Sequence, residues 1–264
     1  MATETAHADG EHHEHPHFLK HHFDTPAQQF DAAKLGMWVF IATELLMFGG
    51  LFVAYLIYHA QEPELFKLAH HALDKQLGAL NTVVLLFSSL TAALAVRSAQ
   101  LGKRTQTSIF LVVTLLCAGA FLVVKYFEYT HKIHAGLLPG RCFGHPGFVK
   151  EIVDAHGKVT DQISCLGDVG LAKVEPVSVT VMEHGQLLAL PTRANMFFAL
   201  YFVMTGLHGI HVLIGMSLLT WILIKNIRGH FSPEYFTHVD LGALYWHLVD
   251  LVWIYLFPLL YLVS

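Results

Sequence analysis

Apolar positions gather into five blocks along the chain: Leu35 to Tyr58, Leu77 to Val96, Ser108 to Val124, Met196 to Ile224 and Leu241 to Val263. At a rise of about 1.5 Å per residue, about 20 residues of helix cross the hydrocarbon core of a bilayer, and the blocks match or approach that length. Backbone groups find no water there, so each block is predicted to be a transmembrane helix and not an open strand. The fourth block is long enough to require tilt or an emergent end. The expected fold class is an all-α membrane protein, a bundle of five transmembrane helices. No internal repeat is evident, nor an inverted pair of broken helices of the kind transporters use.

Two stretches fall outside the blocks. Residues 1–33 form a polar tail rich in histidine, with His7, His12, His13, His15, His17, His21 and His22 interleaved with Glu11 and Glu14. Imidazole and carboxylate suit zinc, copper or nickel, so His12, His13, His15 and His17 are candidate metal ligands. The other reading is a disordered, weakly buffering tail. The connection 132–193 is the one large extramembrane segment. Within it, Phe148 to Val153 and Lys158 to Cys165 flank Asp154-Ala155-His156-Gly157, the pattern of a β-hairpin, and Val177, Val179 and Val181 alternate as a further strand would. The membrane domain is therefore expected over 34–264, with this loop outside the bilayer.

Composition agrees with the pattern. Of 264 residues, 54% are hydrophobic and 14% charged, against about a quarter charged in soluble domains. Mean hydropathy is +0.50. No cleavable leader is expected, because the first apolar block is long enough to remain as a span. The net charge of −4 says little about partners, and no nucleic-acid partner is expected. Its distribution says more. Arg97, Lys103 and Arg104 flank the second connection, and Lys225 and Arg228 the fourth. The positive-inside rule then places both connections and the amino terminus in the cytoplasm, and Ser264 and the long loop outside. In an oxidising exterior, Cys142 and Cys165 could form a disulfide; in a reducing compartment they would be free thiols. Cys117 lies inside the third block and reads as a small packing residue.

Charged side chains inside hydrocarbon cost a few kcal/mol each on insertion scales, so those present normally face protein and have partners. The first block carries Glu44, the third adjoins Lys125 and Glu128, the fourth holds His208 and His211, and the fifth His247 and Asp250. Each pair is three residues apart and is predicted to share one side of its helix. Lys125 and Glu128 read as mutually neutralising. His247 and Asp250 read as an imidazole held by a carboxylate. Glu44 has no basic residue one turn away, so it is expected either protonated, in proton supply or buffering, or hydrogen-bonded to another helix. Gly206, Gly209 and Gly215 would allow close helix approach, and Trp246 and Trp253 read as packing or interface anchors. Two histidines without a third ligand make a poor metal site.

Several chemistries lack their motifs. There is no C-x-x-C-H for covalent haem, no C-x-x-C redox pair, and neither a P-loop nor G-x-G-x-x-G for nucleotides. No catalytic or cofactor-binding residue is predicted in this chain.

The runs LGMWVFIATELLMFGGLFVAYL, FEYTH, TGLHGIHVLIG and YWHLVDLVWIYLFPLLY together resemble the cytochrome c oxidase subunit III family, in its short five-helix bacterial form. The resemblance implies a non-catalytic subunit of a proton-pumping haem-copper oxidase of the aa3 type. Such a subunit stabilises subunit I, retains phospholipid and supports proton uptake during aerobic electron transport. It also implies subunit II and cytochrome c, or another external respiratory partner, as neighbours, with haem a and copper in the partner subunits. The localisation implied is the bacterial inner membrane. Glu44, Glu128, His208, His211, His247 and Asp250 match the family's intramembrane polar positions. The sequence departs from the seven-span family form by lacking the first two spans and by its longer 132–193 loop. A quinol oxidase or nitric oxide reductase assembly is the nearer alternative, and a metal-handling membrane protein the distant one.

Overall fold

A computed structural model describes residues 23–135, 137–139, 143, 149–153, 159–164, 179–183, 186–190, 192–233 and 235–262. Five long helices carry the predicted blocks: α1 (Pro26–Gln61), α3 (Lys75–Gln100), α4 (Arg104–His134), α5 (Asn195–Ile227) and α6 (Thr237–Tyr261). All five are long and apolar enough to cross a membrane, and the chain is a multi-pass membrane protein. A short helix, α2 (Pro63–His70), lies between α1 and α3. It was not predicted, because eight residues are too few to show as an apolar block.

The helices overrun the blocks at their polar ends. α1 starts at Pro26, inside the stretch read as tail, because the Thr25 side chain accepts from the Gln28 amide and Pro26 occupies the first turn. Its added turns are anchored by Phe30 against Phe236 and by Lys34 paired with Asp240 at 3.2 Å. α3 starts at an Asp74 cap that accepts from the Gln76 and Leu77 amides. α4 continues past Val124 to His134, since Lys125, Glu128 and Lys132 find partners inside the protein and need not leave the helix for water.

α6 is the hub, packed on α3, α5 and α1, while α4 closes a four-helix ring against α3 and α5. α1 lies outside that ring on α6 and, less extensively, α5. It is the least buried span and α6 the most. Trp246 and Trp253 of α6 are fully buried, and each indole N–H donates to a hydroxyl of α3, Ser88 at 3.0 Å and Thr82 at 3.1 Å. That satisfies the polar end of an otherwise apolar anchor. Close helix approach occurs at Gly215 and Gly242: a Cβ at Gly215 would meet the Trp246 ring at 2.9 Å, and one at Gly242 would strike Ile222. Between α4 and α5 the described residues include two antiparallel strand pairs, β1 (Val149–Val153) with β2 (Val159–Ser164), and β3 (Val179–Glu183) with β4 (Gln186–Leu190). The turn 154–157, Val177, Cys142 and Cys165 lie outside the described residues, as do His12, His13, His15 and His17.

Candidate functional site

Glu128 and Glu44 each meet basic side chains within the helix assembly, and the fold surrounds them differently. Glu128 of α4 is 5% exposed. Its Oε2 accepts from Lys125 Nζ at 2.6 Å, and its Oε1 accepts from the Tyr261 hydroxyl at 2.6 Å and the Tyr201 hydroxyl at 3.0 Å. Lys125 Nζ also donates to the Tyr261 hydroxyl at 2.7 Å and lies 4.5 Å from the centre of the Trp253 ring. Lys132 approaches Glu128 at 3.7 Å and donates to the Ala72 carbonyl at 3.0 Å. One carboxylate thus serves two ammonium groups and two phenols from α4, α5 and α6. The expected Lys125–Glu128 pair is the nucleus of a larger cluster. Sequence reading missed Lys132, Tyr201 and Tyr261. The i, i+3, i+7 spacing of Lys125, Glu128 and Lys132 was a usable signal for the first, and nothing local marks the tyrosines.

Glu44 of α1 meets His211 of α5, with Oε2 3.0 Å from Nε2 and side-chain exposures of 16% and 13%. The interhelical alternative is therefore the one formed, and it is formed with an imidazole. The other ring nitrogen, Nδ1, is 2.8 Å from the Leu207 carbonyl. A carbonyl only accepts, so Nδ1 carries hydrogen. The Nε2–Oε2 contact joins an imidazole and a carboxyl group, two groups able to share a proton, across α1 and α5. Phe48 covers the ring edge on, 5.3 Å between centroids.

The remaining sites depart from expectation. His208 does not act with His211. It turns into the ring of helices, 1% exposed, between Phe121 at 5.6 Å and Trp253 at 5.2 Å, with neither ring nitrogen hydrogen-bonded. His247 and Asp250 form no hydrogen bond with each other. His247 Nδ1 pairs instead with the Ser89 hydroxyl of α3 at 2.6 Å, and Asp250 Oδ1 is buried without a partner. The cause is the α6–α3 contact, which brings the Ser89 hydroxyl within reach of the imidazole. Gly206 and Gly209 are not close-packing points either. A Cβ at Gly209 would meet nothing within 4 Å and one at Gly206 only the Tyr129 hydroxyl at 3.9 Å; both line an open groove between α4 and α5. Among the described residues no three metal-ligating side chains converge.

Residues 165–264 match the family model described as cytochrome c oxidase subunit III. The chain is similar to quinol oxidase subunit 3 of Bacillus subtilis, 26% identical over 87% of this chain and 86% of that one. It is also similar to cytochrome c oxidase subunit 3 of Thermostichus vulcanus, 28% identical over 89% of each. A third relative is the heme-copper oxidase subunit I+III of Aeropyrum pernix, 27% identical over 88% of this chain and 23% of that longer one.

Proposed function

Since the chain belongs to the haem-copper oxidase subunit III family, we propose that it is the non-catalytic third subunit of an aa3-type cytochrome c oxidase. In this reading it packs against subunit I, retains lipid and supports proton uptake, while haem a and copper reside in the partner subunits. The fused subunit I+III relative supports the pairing with subunit I, because one polypeptide there joins the two. The exposed apolar face of α1, which includes Leu35, Trp38, Leu46 and Val53, supports it too, since this is the least engaged span. The cationic second and fourth connections support an amino terminus on the cytoplasmic face of a bacterial inner membrane. An exterior loop 132–193 would then be available to subunit II, cytochrome c or another external respiratory partner.

The observation that supports the proton role is the Glu44–His211 contact, a carboxyl oxygen 3.0 Å from an imidazole nitrogen between two membrane-spanning helices. Purification through this chain is expected to bring down a haem protein with the subunit I sequence; a stable oligomer free of haem rejects the reading. In the assembled oxidase, Glu44→Gln keeps the size of the side chain and replaces the ionisable carboxyl with an amide. Proton uptake is expected to slow about tenfold, the low end of the contribution from a positioned acid–base group, and turnover lifetime to shorten. Unchanged uptake together with unchanged lifetime rejects the role of Glu44.

The similarity to a quinol oxidase subunit 3 favours one second reading, a quinol-driven complex of the same architecture. A copper-binding subunit II in the purified complex identifies the cytochrome c oxidase, and its absence the quinol oxidase.

A further inference from the structure

His247, Ser89 and Asp250 take no part in either carboxylate site, and they meet on the seam between α3 and α6. The Ser89 hydroxyl is 2.6 Å from His247 Nδ1 and also faces the Asp250 carboxyl, so a serine bridges the two groups that their spacing would pair directly. Asp250 is enclosed, whereas His247 and Ser89 are half-buried at the outer edge of the seam. His247 is close to the midpoint of the 25-residue α6 and Ser89 to that of the 26-residue α3. The edge therefore sits near the centre of the hydrocarbon, about 15 Å from either boundary. Leu86 and Leu90, within a turn of Ser89, and Leu251 and Ile254, one and two turns beyond His247, are exposed around it. The ring places α3 and α5 on opposite flanks of α6, and α1 rests on the α5 flank.

The bonds that His247 makes and lacks specify what covers this edge. Nδ1 is held by Ser89, and among the described residues Nε2, on the other side of the ring, has no partner. Hydroxyls on other outer helix faces satisfy themselves within their own helix: Thr43 donates to the Phe40 carbonyl at 2.7 Å, Ser217 to that of Leu213 at 2.9 Å and Thr220 to that of Met216 at 2.7 Å. An imidazole tied at Nδ1 cannot turn Nε2 back in the same way. A polar atom left bare in hydrocarbon is costly. Phospholipid does not relieve that cost, because its polar groups stop at the headgroups, about 15 Å away, and water does not enter lipid at this depth. A transmembrane helix does bring polar side chains there, and their hydrogen bonds join helices in membranes. A hydroxyl or a carboxamide both donates and accepts, so it bonds Nε2 in either tautomer of His247.

We propose that the α3–α6 edge is a second contact face of this chain, covered in the complex by a transmembrane helix of a neighbouring subunit that brings a hydroxyl or carboxamide side chain to His247 Nε2 at mid-membrane. This rests on the reading of the chain as a subunit of an oxidase complex and adds to it a face, a depth and an anchoring atom. The face is distinct from the exposed side of α1.

The test uses the intact complex with its haem protein, in phosphatidylcholine nanodiscs, with Leu251 replaced by the photo-cross-linker p-benzoylphenylalanine. Mass spectrometry after illumination is expected to show a cross-link to a membrane helix of another polypeptide. Adducts to lipid alone overturn the proposal, and a cross-link to a second copy of this chain overturns the occupant. The anchor is read from how tightly the chain is retained as detergent strips the complex. Gln reaches the position of Nε2, and Asn that of Nδ1. His247→Gln is therefore expected to retain the chain as the parent does, and His247→Asn about threefold less tightly, the worth of an average interhelical hydrogen bond in a membrane. A role confined to the Ser89 contact gives the reverse order, and His247→Gln no better than His247→Asn overturns the anchor. The cross-link leaves His247 unaltered and does not depend on these variants assembling. A complex that purifies with haem and gives only lipid adducts overturns this proposal alone and leaves the subunit reading standing.

Discussion

Glu128 and Glu44 are both carboxylates in a membrane helix, yet one is locked and the other poised. Glu128 sits among Lys125, Lys132, Tyr201 and Tyr261, all nine-tenths buried or more, and each Glu128 oxygen is engaged by strong donors. Moving a proton there would disturb three helices at once. Glu44 has a single partner, His211, whose second nitrogen is already tied to the Leu207 carbonyl. It lies at the edge of the bundle, on the least buried helix. A change at Glu44 breaks one side-chain hydrogen bond, whereas a change at Glu128 breaks three. The difference teaches that the charge of a buried group says little about its task, whereas the number and rigidity of its partners say a great deal.

That contrast can be broken most severely at the locked site. Glu128→Leu leaves two buried ammonium groups without their carboxylate and is expected to cost about 3–5 kcal/mol, the usual penalty for removing one member of a buried ion pair. The measurement is recovery of the chain in the assembled complex after heating. Recovery equal to the parent contradicts the locked description. Tyr201→Phe and Tyr261→Phe each remove one donor to Glu128 Oε1 and are expected to cost about 1–2 kcal/mol apiece. Because the two hydroxyls share that acceptor and lie 3.4 Å apart, the double variant is expected to lose less than the sum. Strict additivity in thermal denaturation of the complex shows that the hydroxyls act independently. The smallest effect is expected at the poised site. A double-mutant cycle of Glu44→Ala and His211→Ala is expected to give a coupling of about 0.6 kcal/mol, the average for hydrogen-bonded pairs in membrane bundles. A coupling as large as that at Glu128 makes Glu44 a second locked site and removes the contrast.

Legibility followed range. The five spans were readable because about 20 apolar residues in a row are a local property, and the Thr25 and Asp74 caps extended them by the same local chemistry. The Lys125–Glu128 contact was readable because three residues along a helix bring side chains together. His247 and Asp250 have the same spacing and do not pair, since the neighbouring helix α3 offers His247 the Ser89 hydroxyl at 2.6 Å. The same spacing also failed for His208 and His211, which turn to different neighbours. Gly206 and Gly209 read as packing glycines, but an open groove lies where the neighbouring helix was expected.

By itself the sequence determined the number of crossings, the helical class and which residues had to be neutralised inside the membrane, because hydrophobicity and the cost of a bare charge act residue by residue. Only the tertiary structure decided who neutralises whom. Partners such as Glu44 and His211 are 167 positions apart in the chain, and their meeting depends on how α1 leans on α5, a choice made by the packing of whole helix faces that no local pattern encodes.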